Sequence, residues 1–406
     1  MTDFHQRGPI TTLPRLVGRD IDAVEVELAL HVLGHPVALL IPALAAEMDR
    51  PALAGIVREV AKARYVDTVL VSLDRAEPAQ FARALDYFRA LRHRTVVLWN
   101  DAPSIVALRV EIERRVAGPI APGKGRAVWM AFGYLLAEDR CRAVALHDAD
   151  MVDYDRSLLA NLVLPIVHPR LRFDFCKAYY ARFSDRLHGR VTRLLVRPFL
   201  QALGDLVGRH PFLSYLAAFR YPLAGEIALD IDLVRLLRLP GDWGFEVGTL
   251  AEVVRHLSPT RICQAEITDR FEHKHQPLSP GDAGRGLHRM AVDIVKHLLR
   301  TLAAAGVPIN QGWFNSMRVS YQRYAEDAIA TYYGVAAFNG LRFDRHAEEL
   351  AVETFSRALA GACDQFVADP LGTPALPNWA RVAAAMPEAP ARLLAAARAV
   401  GGVLER

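Results

Sequence analysis

No two cysteines in this chain stand at a Cys-x-x-Cys spacing; Cys141, Cys176, Cys263 and Cys363 are scattered singly. That excludes a thiolate zinc knuckle and the dense disulfide framework of small secreted domains, and the four are read as reduced thiols. Long apolar runs are missing too. The longest, Pro36 to Ala46, contains two prolines and is far shorter than the roughly 20 residues a bilayer requires, so no membrane partner is expected. The segment through Pro14 carries Asp3, His5, Gln6 and Arg7 with no apolar run to follow, unlike a secretory signal, and a cytoplasmic protein is expected. Charge of one sign is scarce: 49 Lys+Arg against 45 Asp+Glu leave a net charge of +4. This is too weak a basic excess for a nucleic-acid partner, although it suits small anionic ones. Internal repeats and low-complexity tracts are absent.

What is present is the composition of a folded enzyme, 52% hydrophobic and 23% charged over 406 residues, enough for one large α/β domain with an appendage. From Val37 to about His147, short apolar runs alternate with helical spacing, the pattern of buried parallel strands between covering helices. Val37–Ile41, Thr68–Leu73, Thr95–Leu98 and Ala143–Leu146 are the predicted strands; Ala52–Ala63, Pro78–Arg92, Ser104–Val116 and Arg126–Ala137 are the predicted helices. Beyond Asp150 the pattern is mixed, with strands expected at Phe173–Tyr179, near Gly225 and at Ile262–Ile267. Past Gly286 it is almost wholly helical, and the alanine-rich end from Trp379 reads as a peripheral helix pair. The expected division is an N-terminal segment (1–35), a catalytic domain (36–285, with a nucleotide-binding half to 150 and an acceptor-binding half after it) and a helical C-terminal extension (286–406), in which packing or homodimer formation is the plainest role.

The decisive stretch is Ala143 to Asp150, an apolar strand that ends in two carboxylates one residue apart, Asp148 and Asp150. Ligands of open α/β sheets bind beyond the carboxyl ends of strands, where aspartates can hold a hard divalent cation against a diphosphate. Three other Asp-x-Asp pairs, at 20/22, 153/155 and 230/232, lack that position and read as caps or turns. Gly123-Lys124-Gly125 opens a helix and offers Lys124 to phosphate oxygens, although the Walker spacing is absent; a surface turn explains this tripeptide equally well. Arg182, Arg186, Arg190, Arg193 and Arg197 recur in one loop and helix, where Gly189-Arg190-Val191-Thr192 combines a backbone N–H, a guanidinium fork and a hydroxyl suited to an anion. The alternative is a solvated basic helix. His273, in Phe271-Glu272-His273-Lys274-His275, could complete a metal site, and taken alone it would read as a polar loop.

Taken in order, these pieces resemble glycosyltransferase family 81, whose members move glucose or mannose onto 3-phosphoglycerate. The family's nucleotide loop, Pro-Ala-Leu-Asn-Glu-Glu, is similar to Pro42-Ala43-Leu44-Ala45-Ala46-Glu47; its Gly-Lys-Gly with a later Trp is similar to Gly123-Lys124-Gly125 and Trp129. Its Asp-Ser-Asp matches Asp148-Ala149-Asp150, and its Gly-Arg-Val-Thr with Arg-Pro matches Gly189 to Thr192 with Arg197-Pro198. Gly225-Glu226, Gly244 to Gly248, and Glu272-His273 through Pro277-Leu278 continue the series. Two departures stand out: Ala45 replaces the family asparagine, and Arg182 to His188 replaces a glycine-rich run.

The resemblance implies a GT-A fold, a Rossmann-like, mostly parallel sheet with flanking helices, carrying a metal-dependent, retaining transfer of glucose from UDP-glucose to 3-phosphoglycerate. It implies Mg²⁺ or Mn²⁺ held by Asp150 and His273. Pro42, Ala43, Leu44, Glu47, Ser72, Lys124, Asp148, Ala149 and Asp150 are expected at the nucleotide-sugar donor, and Gly189, Arg190, Thr192, Glu226 and His275 at the small phosphorylated acceptor. Glu246, Lys124 and Asp150 are the expected catalytic residues. GDP-mannose remains an alternative donor, and a catalytically silent nucleotide-binding module is the reading from a different class.

Overall fold

The computed structural model describes Gln6, residues 8–272 and residues 276–404. Among these residues nine strands form a single sheet: β1 (Thr11–Leu13), β2 (Val37–Leu44), β3 (Val66–Asp74), β4 (Arg94–Trp99), β5 (Ala143–Leu146), β6 (Phe175–Tyr179), β7 (Ile227–Asp230), β8 (Ile262–Glu266) and β9 (Val403–Leu404). Their order is β1-β8-β6-β7-β5-β2-β3-β4-β9. The half β5-β2-β3-β4 is wholly parallel, as its Val- and Leu-rich runs and intervening helices require. β7 runs antiparallel to both β5 and β6, so the sheet is mixed at its centre, a detail that periodicity does not encode.

The crossover helices start where the chain chemistry starts them. Pro51, Pro78 and Pro103 each open one, at a position where the missing N–H costs nothing. Glu77 and Gln80 form a capping box on the second. Helix Lys124–Glu138 lies deepest, with Gly125 through Leu135 buried without a break. Its Gly125 has no room for a side chain, because a Cβ would lie 2.0 Å from the Pro240 carbonyl oxygen.

The C-terminal region is helical from Gly286, in long helices Gly286–Ala304, Gln311–Phe338 and Arg345–Ala368. The expected helix pair at the end is present, Trp379–Ala385 and Ala389–Ala399, but it is anchored in the interior and not peripheral. Trp379 is 4% exposed and stacks on Trp129 with ring centroids 4.9 Å apart. The two indoles exchange links with each other's segments: Trp129 donates to the Pro377 carbonyl and Trp379 to the Trp129 carbonyl, both at 2.7 Å. Gly133 makes the space, since a Cβ there would fall 2.0 Å from the Trp379 ring. Helix Ala389–Ala399 follows, and β9 then pairs antiparallel with β4. The segment from Trp379 to Leu404 is therefore packed against helix Lys124–Glu138 and the β4 edge of the sheet.

Candidate active site

Three element ends converge beyond the carboxyl end of β5. Asp148 follows that strand, Lys124 is the first residue of helix Lys124–Glu138, and Glu246 lies in the first turn of helix Phe245–His256. Lys124 Nζ is 2.6 Å from Asp148 Oδ1 and 3.2 Å from Glu246 Oε1, and lies 5.5 Å from the centre of the Phe245 ring. Burial alone would lower the Lys124 pKa, but Asp148 and Glu246 outweigh it and hold the ammonium well above its ordinary range. The fourth wall is backbone: at Gly225 a Cβ would sit 2.3 Å from Asp148 Oδ2 and 2.9 Å from Lys124 Nζ, so a side chain there would displace the Asp148 and Lys124 ends from each other.

The next residue, Glu226, is buried and accepts a hydrogen bond from the Tyr180 hydroxyl at 2.7 Å. Burial and the neighbouring Asp148 push its carboxyl up to about 7. Asp150 is raised to about 6 by burial and by Asp148 in the same way. Asp148, Asp150, Glu226 and Glu246 thus gather here while Lys124 pairs with only Asp148 and Glu246, an excess of negative charge that a divalent cation relieves. The described residues fit such an ion through Asp148 and Asp150, oxygen donors at a strand end. His273 and His275, the other expected contributors, lie outside the described residues.

Sequence reasoning missed Lys177. It sits in the middle of β6, 1% exposed, and its ammonium donates to the Ala224 carbonyl at 2.6 Å. Burial pulls its pKa down to about 8, with Glu246 and Glu226 opposing. It holds the backbone just before Gly225 and Glu226. The available signal was a lysine inside an otherwise apolar strand, between Cys176 and Ala178.

The expected donor residues divide. Pro42, Ala43 and Leu44 form the end of β2 in register with Ser72, Leu73 and Asp74 of β3. Leu44 is exposed, while Glu47 is buried in the 3₁₀ turn that follows and lies 3.5 Å from Arg50. Ala149 is buried between the two aspartates. Ser72 is turned inward: fully buried, it donates to the Ala127 carbonyl at 2.8 Å and accepts from Asn100 Nδ2 at 2.9 Å. Asp74, beside it, holds Arg126 at 2.6 Å.

Of the residues expected at the acceptor, Gly189 takes a positive φ of 72° and packs against Tyr221, whose ring is 5.2 Å from that of Tyr180. Tyr221 also accepts from Arg182 at 2.8 Å. Gly189 is therefore joined to Glu226 through two tyrosines. Arg190 and Arg193 are both clamped by Glu348, each at 2.7 Å, across from helix Arg345–Ala368. Thr192, in a π-helical turn Val191–Val196, is 3% exposed, and its hydroxyl has no hydrogen-bond partner among the described residues.

No protein-family model matches the chain. It is 41% identical over 396 residues to a glucosyl-3-phosphoglycerate synthase of Persephonella marina, with 98% of each protein covered. A synthase of the same name from Methanococcoides burtonii is 36% identical over 359 residues, 87% of each. Among solved structures, glucosyl-3-phosphoglycerate synthase of Mycobacterium tuberculosis with Mn²⁺, UDP-glucose and phosphoglyceric acid superimposes with a TM-score of 0.55 at 24% identity, covering 74% of this chain and 89% of that one. Mannosyl-3-phosphoglycerate synthase of Rubrobacter xylanophilus gives a TM-score of 0.53 at 24% identity, covering 70% and 80%. The mixed, mostly parallel sheet with flanking helices is the fold of these glycosyltransferases.

Proposed function

This chain belongs to the glucosyl-3-phosphoglycerate synthase family, and we propose that it transfers glucose from UDP-glucose to the 2-hydroxyl of 3-phosphoglycerate with retention of configuration. The observation that carries the reading is the cluster of Lys124, Asp148 and Glu246 beyond β5, packed directly against the backbone of Gly225. The donor's diphosphate is anionic, and in the transfer the bond from the anomeric carbon to that diphosphate breaks as a bond to the acceptor oxygen forms. The hydroxyl gives up its proton to an oxygen of the departing diphosphate, which leaves as UDP.

Asp148 and Asp150 would hold Mg²⁺ or Mn²⁺, metals found with UDP in the Mycobacterium tuberculosis structures. Such an ion supplies charge neutralisation on the departing diphosphate. Lys124 acts on the same oxygens: its ammonium, fixed in place by two carboxylates, needs no reorganisation as negative charge grows. Glu246, in the first turn of its helix, accepts from a sugar or acceptor hydroxyl. Glu226 positions that group and is itself oriented by Tyr180. Gly189 and Arg190 take the acceptor's phosphate; Glu348 engages Arg190 through Nε, and the two Nη groups of Arg190 have no hydrogen bond among the described residues. Ser72 fixes helix Lys124–Glu138 to β3, and so places Lys124, without touching the nucleotide.

The reading extends to a cytoplasmic homodimer. Free cysteines support the compartment; no helix among the described residues is long and apolar enough to cross a membrane. Exposed Val319, Tyr333, Val335 and Phe338 on helix Gln311–Phe338 support a partner surface there, which light scattering of the purified chain tests. The experiment for the activity is a donor-by-acceptor matrix: UDP-glucose and GDP-mannose, each with 3-phosphoglycerate, glycerate or no acceptor, with Mg²⁺ and with chelator, products read by mass. Metal-dependent glucosyl-3-phosphoglycerate is the expected product. A mannosyl product would change the donor and keep the site, whereas donor binding without any product would return the chain to a silent module.

A further inference from the structure

Helices Ile21–His31 and Arg156–Val167 lie side by side, joined at their starts by ion pairs of Arg156 with Asp22 and Glu25. At their ends they meet through three side chains that the transfer reaction does not use. Glu27 and His31 are one turn apart and project to one side, and His168 caps the second helix. Glu27 Oε1 is 3.5 Å from His168 Nε2 and 3.9 Å from His31 Nε2, and the two imidazoles meet edge to face with centroids 4.8 Å apart. One donor atom from each residue lies within 4.8 Å of the others.

Bonds of about 2.0–2.1 Å to a tetrahedral ion put neighbouring ligand atoms roughly 3.3 Å apart, so side-chain adjustments of about 1 Å close this set. His31 Nε2 is buried and has no hydrogen-bond partner, a ligand atom at the cluster that the described residues do not satisfy. Arg19 engages the other carboxylate oxygen of Glu27, leaving Oε1 toward the imidazoles. The Arg170 N–H donates to His168 Nδ1 at 3.2 Å, so the neutral ring carries its proton on Nε2. Metal coordination at Nε2 moves that proton to Nδ1 and gives up this one long hydrogen bond.

We propose that Glu27, His31 and His168 form a second metal site, for Zn²⁺ or a metal of similar preference, that clasps the N-terminal helix to the end of helix Arg156–Val167. Two imidazoles and one carboxylate suit Zn²⁺, Co²⁺ or Ni²⁺ and not Mg²⁺, which takes oxygen ligands, so the site differs in kind from the Asp148/Asp150 pair. Its role is to fasten: the helix it holds follows β1, the edge strand paired with β8.

The test is Co²⁺ titration of the full, chelator-stripped chain, read by visible absorption. One equivalent with an intense tetrahedral spectrum is expected, displaced by Zn²⁺ and not by excess Mg²⁺. Zn²⁺ also raises the thermal midpoint by a few degrees, since it binds the folded chain. His31→Ala, His168→Ala and the conservative Glu27→Gln lose the band and the thermal shift, while Mg²⁺-dependent transfer stays within about twofold. In Asp150→Asn the band persists. No band in the parent chain, a band that survives both histidine variants, or one that disappears with Asp150→Asn would each overturn the site.

Discussion

The proposed donor and acceptor sides of the site are built on different principles. Lys124, Asp148 and Glu246 sit at the ends of a helix, a strand and a second helix, where regular elements of a parallel sheet converge. Gly189, Arg190 and Thr192 occupy a loop and a π-helical turn, steadied by a carboxylate 158 residues from Arg190, Glu348. The first arrangement is fixed by the sheet itself. The second depends on helix Arg345–Ala368 docking through Glu348, so the proposed acceptor recognition is the function most exposed to changes outside the site.

The largest effect should come from the donor side. Lys124→Met is expected to lower kcat by about 10²–10³-fold, with a smaller change in the UDP-glucose KM, because the ammonium acts on charge that grows in the transition state. A loss below about tenfold in steady-state assays of the folded variant would remove Lys124 from that role. On the acceptor side, Glu348→Gln removes the buried anion between Arg190 and Arg193. Breaking a buried pair of this kind costs about 3–5 kcal/mol, visible in denaturant unfolding. The kinetic expectation is a rise of about tenfold in the 3-phosphoglycerate KM at an unchanged UDP-glucose KM. If both KM values moved together, the two sides would not be built independently and the comparison would fail.

The same contrast governs what the sequence made legible. Asp148 and Asp150 were readable because an apolar run stops at them, and β2 to β5 were readable because buried parallel strands are continuous hydrophobic runs. The reversed direction of β7 was not, since four apolar residues have no intrinsic orientation. Lys177 announced itself only as a charge in an apolar run, and its partner, the Ala224 carbonyl, is fixed by tertiary approach. Glu348 looks like any acidic residue in a helix's first turn; its burial between two arginines is decided by docking. Trp379 reads as a helix residue until Gly133, 246 positions earlier by number, is seen to have been left small for it.

A smaller effect separates the metal from the rest of the donor side. Asp150 is raised to about 6 by burial and Asp148, so in the metal-free protein it gains a proton as pH falls through that value. A divalent cation needs the ionised form. Its affinity is therefore full above pH about 6 and falls by about tenfold per pH unit below it for each proton displaced. Calorimetric Mn²⁺ titrations between pH 5 and 8 measure this, and the slope should vanish in Asp150→Asn. An affinity flat across that range would mean that neither carboxylate competes with a proton for the ion.

The least effect on activity, and the sharpest cut within the donor side, is expected at Ser72. Its hydroxyl is spent on the Ala127 carbonyl and on Asn100. Ser72→Ala leaves a buried amide hydrogen of Asn100 without its acceptor, which costs about 1–3 kcal/mol of stability. Because the helix that carries Lys124 is also held by Asp74 to Arg126 and by the stacked indoles, Lys124 should keep its place. The UDP-glucose KM is then expected to change by less than about twofold while the unfolding midpoint drops. A large rise in that KM with stability intact would instead put the hydroxyl on the nucleotide, and β3 would have to present Ser72 to the cleft when donor binds.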